Sequence, residues 1–172
     1  MAKIRLFAVL AAAAVWLVPT IANSQGTEAG KSSPSLSAAS AEQIGRGRYM
    51  VLTGPCNNCH TADYARKQGK VPETEWLLGN AVGYRTPAGT SYPSNLRLSV
   101  QNYTEDQWVR YVTTAKPKPP MPWWSLLDTT EQDLRAMYQF IKHLGPAGQP
   151  APPFIPPDQD PKPPFEDRRV VQ

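Results

Sequence analysis

The pentapeptide Cys56-Asn57-Asn58-Cys59-His60 constrains this chain more than any other part of its sequence. Cys-x-x-Cys-His is the pattern typical of c-type haem attachment. Two thiols separated by two residues reach the two vinyl groups of one porphyrin, and the adjoining imidazole is then delivered to the iron. The pattern therefore predicts one covalent haem c, with Cys56 and Cys59 as attachment residues and His60 as the proximal axial ligand.

Three other interpretations of these residues compete with haem attachment. A structural zinc site needs about four ligands in a closed shell. The thiol and imidazole donors of this chain are only Cys56, Cys59, His60 and His143, and His60 adjoins Cys59, where it is badly placed to bind the same metal. A thioredoxin-like dithiol requires a βαβ pattern around the motif, which this sequence lacks. A disulfide across two intervening residues would be strained, and no further cysteine offers another pairing. The motif therefore favours haem.

A methionine in a proline-rich segment is the candidate for the second iron ligand. Met121 lies 61 residues after His60, in the run Lys116-Pro-Lys-Pro-Pro-Met-Pro-Trp-Trp124. Four prolines hold this run extended and keep it out of a helix. A loop ordered in advance loses less entropy when its thioether meets the iron. The alternatives are a buried packing role for Met121 and ligation by His143 in its place.

The attachment motif, the Met-Pro loop and a final amphipathic helix follow one another in residues 40–145. In this order they resemble the class I c-type cytochromes. The resemblance implies an all-α fold, with a few short helices and loops wrapped around one covalent haem. It also implies His60 and Met121 as the axial iron ligands. The cytochrome domain would then occupy residues 40–145, followed by a proline-rich extended tail at 146–172.

The first helix is predicted from a capping signal. Ser40 followed by Gln43 has the spacing of a capping box, so we expect a helix from Ala41 to about residue 52. In class I cytochromes a small residue and an aromatic residue on this helix cross the last helix. Gly47 and Tyr49 are similar to that pair, and close backbone contact would explain a glycine that costs about 1 kcal/mol relative to alanine in a helix.

Two later helices are predicted in the same way. Thr104 opens a capping box followed by an apolar stripe that begins at Trp108, and Pro117 ends it. Thr129 is the predicted N-cap of the final helix, which carries a strong amphipathic stripe and ends at Gly145. Core packing is the expected role of Trp108, in a core that would consist largely of haem if the chain is a cytochrome.

A polar segment between the helices offers candidate partners for the haem propionates. Residues 79–94 are predicted to be a glycine-rich loop with a short hairpin. The candidate donors are Tyr92 near the end of this loop and Asn95 and Arg97 directly after it. The order is similar to the Tyr-x-x-Asn segment in cytochrome subunits of periplasmic alcohol and aldehyde dehydrogenases. It departs at residues 96–99, where those proteins have Ile-Thr-Pro-Asp. An ordinary surface turn is the alternative for these residues.

The N-terminus predicts export. Residues 1–24 have the features of a secretory signal, with Lys3 and Arg5 before thirteen apolar residues from Leu6 to Val18. A membrane span needs about 20 residues, so no span is expected after cleavage; an uncleaved anchor is the alternative. Haem c is attached outside the bacterial inner membrane, which also predicts the periplasm. Residues 25–39, rich in Ser, Ala and Gly, are predicted to be a flexible linker.

The charge of the chain argues against nucleic acid as a partner. Cleavage after residue 24 removes two basic residues and no acidic ones, which lowers the formal net charge from +4 to +2. A protein so close to neutral is not expected to bind nucleic acid. Partner preference must therefore come from local charge and shape.

The C-terminal tail is exceptional in composition. Residues 146–172 contain nine prolines, which exclude a helix or a central strand and favour polyproline II. Three interpretations stay open: the tail lies along the domain through Phe154 and Phe165, it docks a partner, or it is disordered.

Together these features predict a periplasmic electron carrier and not an enzyme. Two strong protein ligands leave no open coordination site on the iron, which argues against catalysis there. The expected partners are a periplasmic dehydrogenase as donor and a cytochrome or oxidase as acceptor. Two alternatives remain: a cytochrome subunit bound permanently to a dehydrogenase, and a haem-based sensor in which a small ligand displaces Met121.

Overall fold

The computed structural model describes residues 36–54 and 56–169, with side chains from residue 41 onward. The predicted signal sequence and residues 25–35 of the predicted linker lie outside this part of the chain. Short 3₁₀ turns lie at Glu73–Glu75 and Val100–Asn102. The remaining elements, in chain order, are α1 (Leu36–Thr53), α2 (Cys56–His60), β1 (Gly83–Thr86), β2 (Gly89–Ser91), α3 (Leu96–Ser99), α4 (Glu105–Thr114), α5 (Trp124–Leu127), α6 (Glu131–Leu144) and β3 (Phe165–Asp167).

The close crossing of α1 and α6 organises the domain. A Cβ atom on Gly47 would lie 1.9 Å from the carbonyl oxygen of Ala136 and 2.8 Å from Cβ of Phe140. Only a glycine allows the two backbones to approach this closely. Gly47 is therefore a crossing residue, as predicted. The predicted aromatic partner is wrong: Tyr49 is 55% exposed, and fully buried Val51, one turn after Gly47, packs in the core instead.

Helix α1 begins earlier than the capping pattern predicted. Its first residue is Leu36, so Ser40 lies inside the helix instead of at its N-cap. Ala38, Ala39 and Ala41 are strong helix formers and extend the helix towards the N-terminus. The predicted C-terminal end of this helix, at about residue 52, is correct within one residue, because α1 ends at Thr53.

The capping patterns predicted the start of α4 correctly and the start of α6 with an error of one residue. Thr104 and Gln107 form both hydrogen bonds of a capping box at α4, as predicted. At α6 the N-cap is Thr130, whose hydroxyl accepts a hydrogen bond from the Asp133 amide. The predicted cap, Thr129, is therefore wrong by one residue. Two adjacent threonines satisfy the same pattern, and only the backbone conformation distinguishes them.

The core lies on the buried face of α6. Trp76 packs edge-on against Phe140, with ring centroids 6.3 Å apart, and Trp108 of α4 lies 6.0 Å from the ring of Tyr138. The Tyr138 hydroxyl donates to the Tyr103 carbonyl at 2.9 Å, so its polar end is satisfied. The other buried side chains of α6 are aliphatic, sulfur-containing or small: Leu134, Ala136, Met137 and Ile141.

A small sheet joins the middle of the chain to the tail. Strands β1 and β2 form an antiparallel hairpin in which Tyr84 pairs with Ser91. Strand β3 pairs in parallel with β1, so the order is β2-β1-β3. The sequence predicted a hairpin here but not its third strand. Of the three possibilities for the tail, its described part lies along the domain.

None of the helices within residues 36–54 and 56–169 is both long and apolar enough to cross a bilayer.

Candidate haem site

Helix α2 consists of the attachment motif itself. Its five residues run from Cys56 to His60, and the three-residue separation of the cysteines places both sulfurs on one side of the helix. Both cysteines are free thiols and partly buried. Burial raises the pKa of the Cys56 thiol to about 11, so this thiol is neutral at pH 7. The strained disulfide considered above is not formed in this structure.

His60 is held in the state that a metal ligand requires. Its side chain is buried, and its Nδ1 lies 2.7 Å from the carbonyl oxygen of Ser94. A carbonyl only accepts, so the proton is assigned to Nδ1 and the lone pair to Nε2. Burial lowers the pKa of His60, with the Ser94 contact opposing that shift in part. The imidazole is therefore neutral, and its Nε2 is available as a ligand.

A buried network fixes the end of α2 to the chain that follows. The Thr61 hydroxyl donates to Oδ1 of Asn57 at 2.7 Å and accepts from the Leu77 amide at 2.8 Å. The Gly79 amide donates to the His60 carbonyl at 2.8 Å. Nδ2 of Asn57 is buried without a hydrogen-bond partner among the described residues. The network orients α2, and with it the imidazole.

This donor set fits a c-type haem. Two free thiols on one face of a short helix match two vinyl groups, and the adjoining imidazole offers Nε2 to the metal. Cys56 and Cys59 would hold the porphyrin, and His60 would be the proximal ligand. The sequence pattern predicted all three side chains, and their haem role stays a prediction. The pattern did not identify Ser94, because a backbone carbonyl leaves no signal in the residue type.

Tyr84 is a further residue beside the motif. It lies buried on β1, and burial together with the neighbouring Cys59 thiol raises its pKa to about 12. The guanidinium of Arg168 lies 4.2 Å from the centroid of the Tyr84 ring. Tyr84 of β1 thus lies beside Cys59, and Arg168 of the tail packs on the Tyr84 ring. Nothing in the local sequence distinguishes Tyr84 from an ordinary strand tyrosine, since the contact joins residues 25 positions apart.

Met121 lies in the loop between α4 and α5 and is partly buried. Its amide donates to the Lys118 carbonyl at 3.3 Å, and its carbonyl accepts from the Trp123 amide at 2.9 Å. The hydroxyl of Ser91, at the end of β2, donates to the Pro119 carbonyl at 2.5 Å. The Met121 loop therefore contains hydrogen-bonded turns and is attached to the hairpin by one hydrogen bond.

One short segment contacts both candidate ligand regions. Ser91 binds the Met121 loop, and Ser94, three residues later, binds His60. Three residues of fully extended chain span at most about 11 Å. The anchoring points of the two candidate ligands are therefore close together in space, although the ligands themselves are 61 residues apart in sequence.

The competing donors are either exposed or packed in the core. His143 is exposed in the last turn of α6. Met137 is 5% exposed and belongs to the core cluster, and Met50 packs against that cluster from α1. Packing accounts for both of these methionines.

Asn95 and Arg97, predicted as propionate contacts, are engaged by backbone carbonyls. Asn95 caps α3 through the Leu98 amide, and its Nδ2 donates to the carbonyls of Ala147 at 2.8 Å and Gln149 at 3.2 Å. Arg97 is 6% exposed, and burial lowers its pKa. Its guanidinium donates to three carbonyls, those of Thr74, Leu144 and Gly145.

These contacts give both side chains a structural role. They attach the segment that carries Ser94 to the end of α6 and to the start of the tail. Tyr92 is partly buried with its ring against Gly83. The propionate role of all three residues stays a prediction.

Comparison with known proteins gives two distant relatives. The fructose dehydrogenase cytochrome subunit of Gluconobacter japonicus is 25% identical over 159 residues, covering 86% of this chain and 31% of that protein. The cytochrome c subunit of alcohol dehydrogenase (quinone) from Gluconobacter oxydans (strain 621H) is 26% identical over 110 residues, covering 58% and 21%. No family model matches the chain, and no solved structure matches it significantly.

These matches support a distant relationship to cytochrome c subunits of dehydrogenases. The chain spans less than a third of the length of either relative.

Proposed function

We propose that this protein is a periplasmic electron carrier: a class I cytochrome c domain with one covalent haem that connects a dehydrogenase to a downstream cytochrome or oxidase. The observation that carries the proposal is the contact between His60 and Ser94. It leaves Nε2 of a neutral, buried imidazole as a ligand beside two free thiols. When bound, the haem supplies an iron that alternates between the ferric and ferrous states.

The residues of the chain have distinct roles in this proposal. Cys56 and Cys59 would hold the porphyrin, His60 would ligate the iron, and the Met121 thioether would be the second ligand. Two protein ligands on the iron would leave no coordination site for a substrate, which suits a carrier and not an enzyme. The Gly47 crossing of α1 and α6 and the short segment from Ser91 to Ser94 support a class I arrangement.

A second candidate is a cytochrome subunit bound permanently to a dehydrogenase. It is favoured by the names of the two relatives, both of which are cytochrome subunits of dehydrogenases. Gel filtration of a native periplasmic extract separates the two functions. A free carrier elutes at the size of the single chain, whereas a permanent subunit elutes with a larger protein at every ionic strength.

The proposal is tested by spectroscopy on the exported, haem-loaded protein. The ferrous form should bind no carbon monoxide, because Met121 occupies the sixth position, and reductive titration should take up one electron per polypeptide. A carbon monoxide complex that forms readily at neutral pH would instead support a ligand sensor. Uptake of more than one electron would contradict a single haem.

Localisation in the periplasm rests on the signal features of residues 1–24 and on the outward attachment of haem c. Fractionation with a cytoplasmic and a periplasmic marker enzyme tests it. The red protein should be released with the periplasmic marker on osmotic shock.

A further inference from the structure

The proline-rich tail returns to the hairpin and binds it through its backbone. Ile155 exchanges two hydrogen bonds with Thr90, one of 2.8 Å to its carbonyl and one of 3.0 Å from its amide. The Phe154 ring lies directly on Gly89, where an added Cβ would be 2.5 Å from Cζ of Phe154. These contacts fix the position of Phe154 on the surface of the hairpin.

Phe154 also contacts the Met121 loop. Nζ of Lys118 lies 4.3 Å from the centroid of the Phe154 ring, and the Lys118 carbonyl accepts the Met121 amide at 3.3 Å. A lysine ammonium over an aromatic face is held by a cation–π interaction. The loop is therefore attached at one point to the hairpin, by Ser91, and at a second point to the tail.

We propose that Phe154 and Lys118 form a clasp that positions the Met121 loop for iron ligation. The clasp rests on the proposed function, since it acts on the second axial ligand. Opening of the loop must separate the ammonium from the ring, so the clasp favours the closed loop over a loop displaced by an external ligand. An interaction of about 0.5–1 kcal/mol corresponds to about a two- to fivefold bias. Phe154 and Lys118 are thus positioning residues for the thioether.

Imidazole titration of the ferric holoprotein measures this bias, because imidazole binds only when Met121 leaves the iron. Lys118→Ala should increase the apparent imidazole affinity about two- to fivefold, and Lys118→Arg should restore it. Lys142→Ala is the matched control, since it also removes a lysine whose Nζ lies over an aromatic ring, that of Tyr138 at 6.0 Å, but on α6 and outside the Met121 loop. It should leave the affinity unchanged.

The tail is tested by a second pair of variants. Phe154→Ala should increase the imidazole affinity at least as much as Lys118→Ala, because it removes both the ring and its contact with Gly89. The control is Phe165→Ala, which removes the other tail phenylalanine. The Phe165 ring contacts Arg85 on β1, with the guanidinium 5.9 Å from its centroid.

The outcomes distinguish a failure of the clasp proposal from a failure of the proposed function. If the unmodified protein has the near-infrared sulfur-to-iron band but Lys118→Ala and Phe154→Ala behave like their controls, the clasp is refuted and the haem proposal stands. If the unmodified ferric protein lacks that band, Met121 is not a ligand, and both the ligand assignment and the clasp are refuted. Lys118 is exposed, so its variants test the clasp even if Phe154→Ala fails to fold.

Discussion

Replacing Gly47 by alanine tests the helix crossing that organises the domain. The added Cβ would lie 1.9 Å from the Ala136 oxygen and 2.5 Å from the Ala136 carbonyl carbon. These are backbone atoms of α6, so no side-chain rotation relieves the overlap. Overpacking typically costs about 1–3 kcal/mol, and the upper end applies at a backbone contact. Since alanine regains about 1 kcal/mol of helix propensity, the net loss of unfolding free energy should be about 2 kcal/mol.

Gly45 provides the control within the same helix. A Cβ atom there meets nothing within 4 Å, so Gly45→Ala should stabilise the protein by about 1 kcal/mol through propensity alone. Urea unfolding of the haem-loaded protein, followed by the Soret band, measures both variants. The two unfolding free energies should differ by about 3 kcal/mol. Equal stabilities would refute the crossing geometry, because the two substitutions have the same effect on helix propensity.

Three further predictions concern charge, anchoring and ligation. The hydrogen bond from Arg46 holds the pKa of Asp133 below its usual 3.8. The ion pair therefore stabilises the folded protein fully above pH 3.8, and this stabilisation is lost as the pH falls through the lower pKa of the folded state. Asp133→Asn should therefore lower the urea midpoint at pH 6 and have a smaller effect at pH 3; an effect independent of pH would contradict the ion pair. Arg97→Met should lower the unfolding free energy by about 3 kcal/mol, because three carbonyls lose a charged donor; a change within 0.5 kcal/mol, roughly that of a surface substitution, would show that the contacts are not formed. Met121→Ala should abolish the near-infrared sulfur-to-iron band of the ferric protein while His143→Ala retains it, and the reverse result would reassign the ligand.

The parts of the structure that could be predicted are those encoded by short-range patterns. The attachment motif occupies five consecutive residues, and the capping box of α4 spans Thr104 to Gln107. Both depend on side-chain types at fixed spacing, which the sequence displays directly. Gly47 was predicted as a crossing residue from the resemblance to class I cytochromes, and the cost of a glycine inside a helix supported that prediction.

The parts that could not be predicted depend on contacts between distant backbone segments. Ser94 supports His60 through its carbonyl, a group that every residue carries. The pairing of β3 with β1 joins residues about 80 positions apart, and the prolines around Phe165 gave no sign of it. The choice between Tyr49 and Val51 depended on the rotation of α1 about its axis. A shift of two residues turns a side chain to another face of the helix.

Intact-mass measurement under denaturing conditions tests covalent haem attachment, the central claim, most directly. The exported protein should have the mass of its polypeptide plus one haem, because thioether bonds to Cys56 and Cys59 survive unfolding. The variant with both cysteines replaced by alanine should have the mass of the polypeptide alone. A bare polypeptide mass for the unmodified protein, obtained from a host that attaches haem to a known cytochrome c in parallel, would contradict the account.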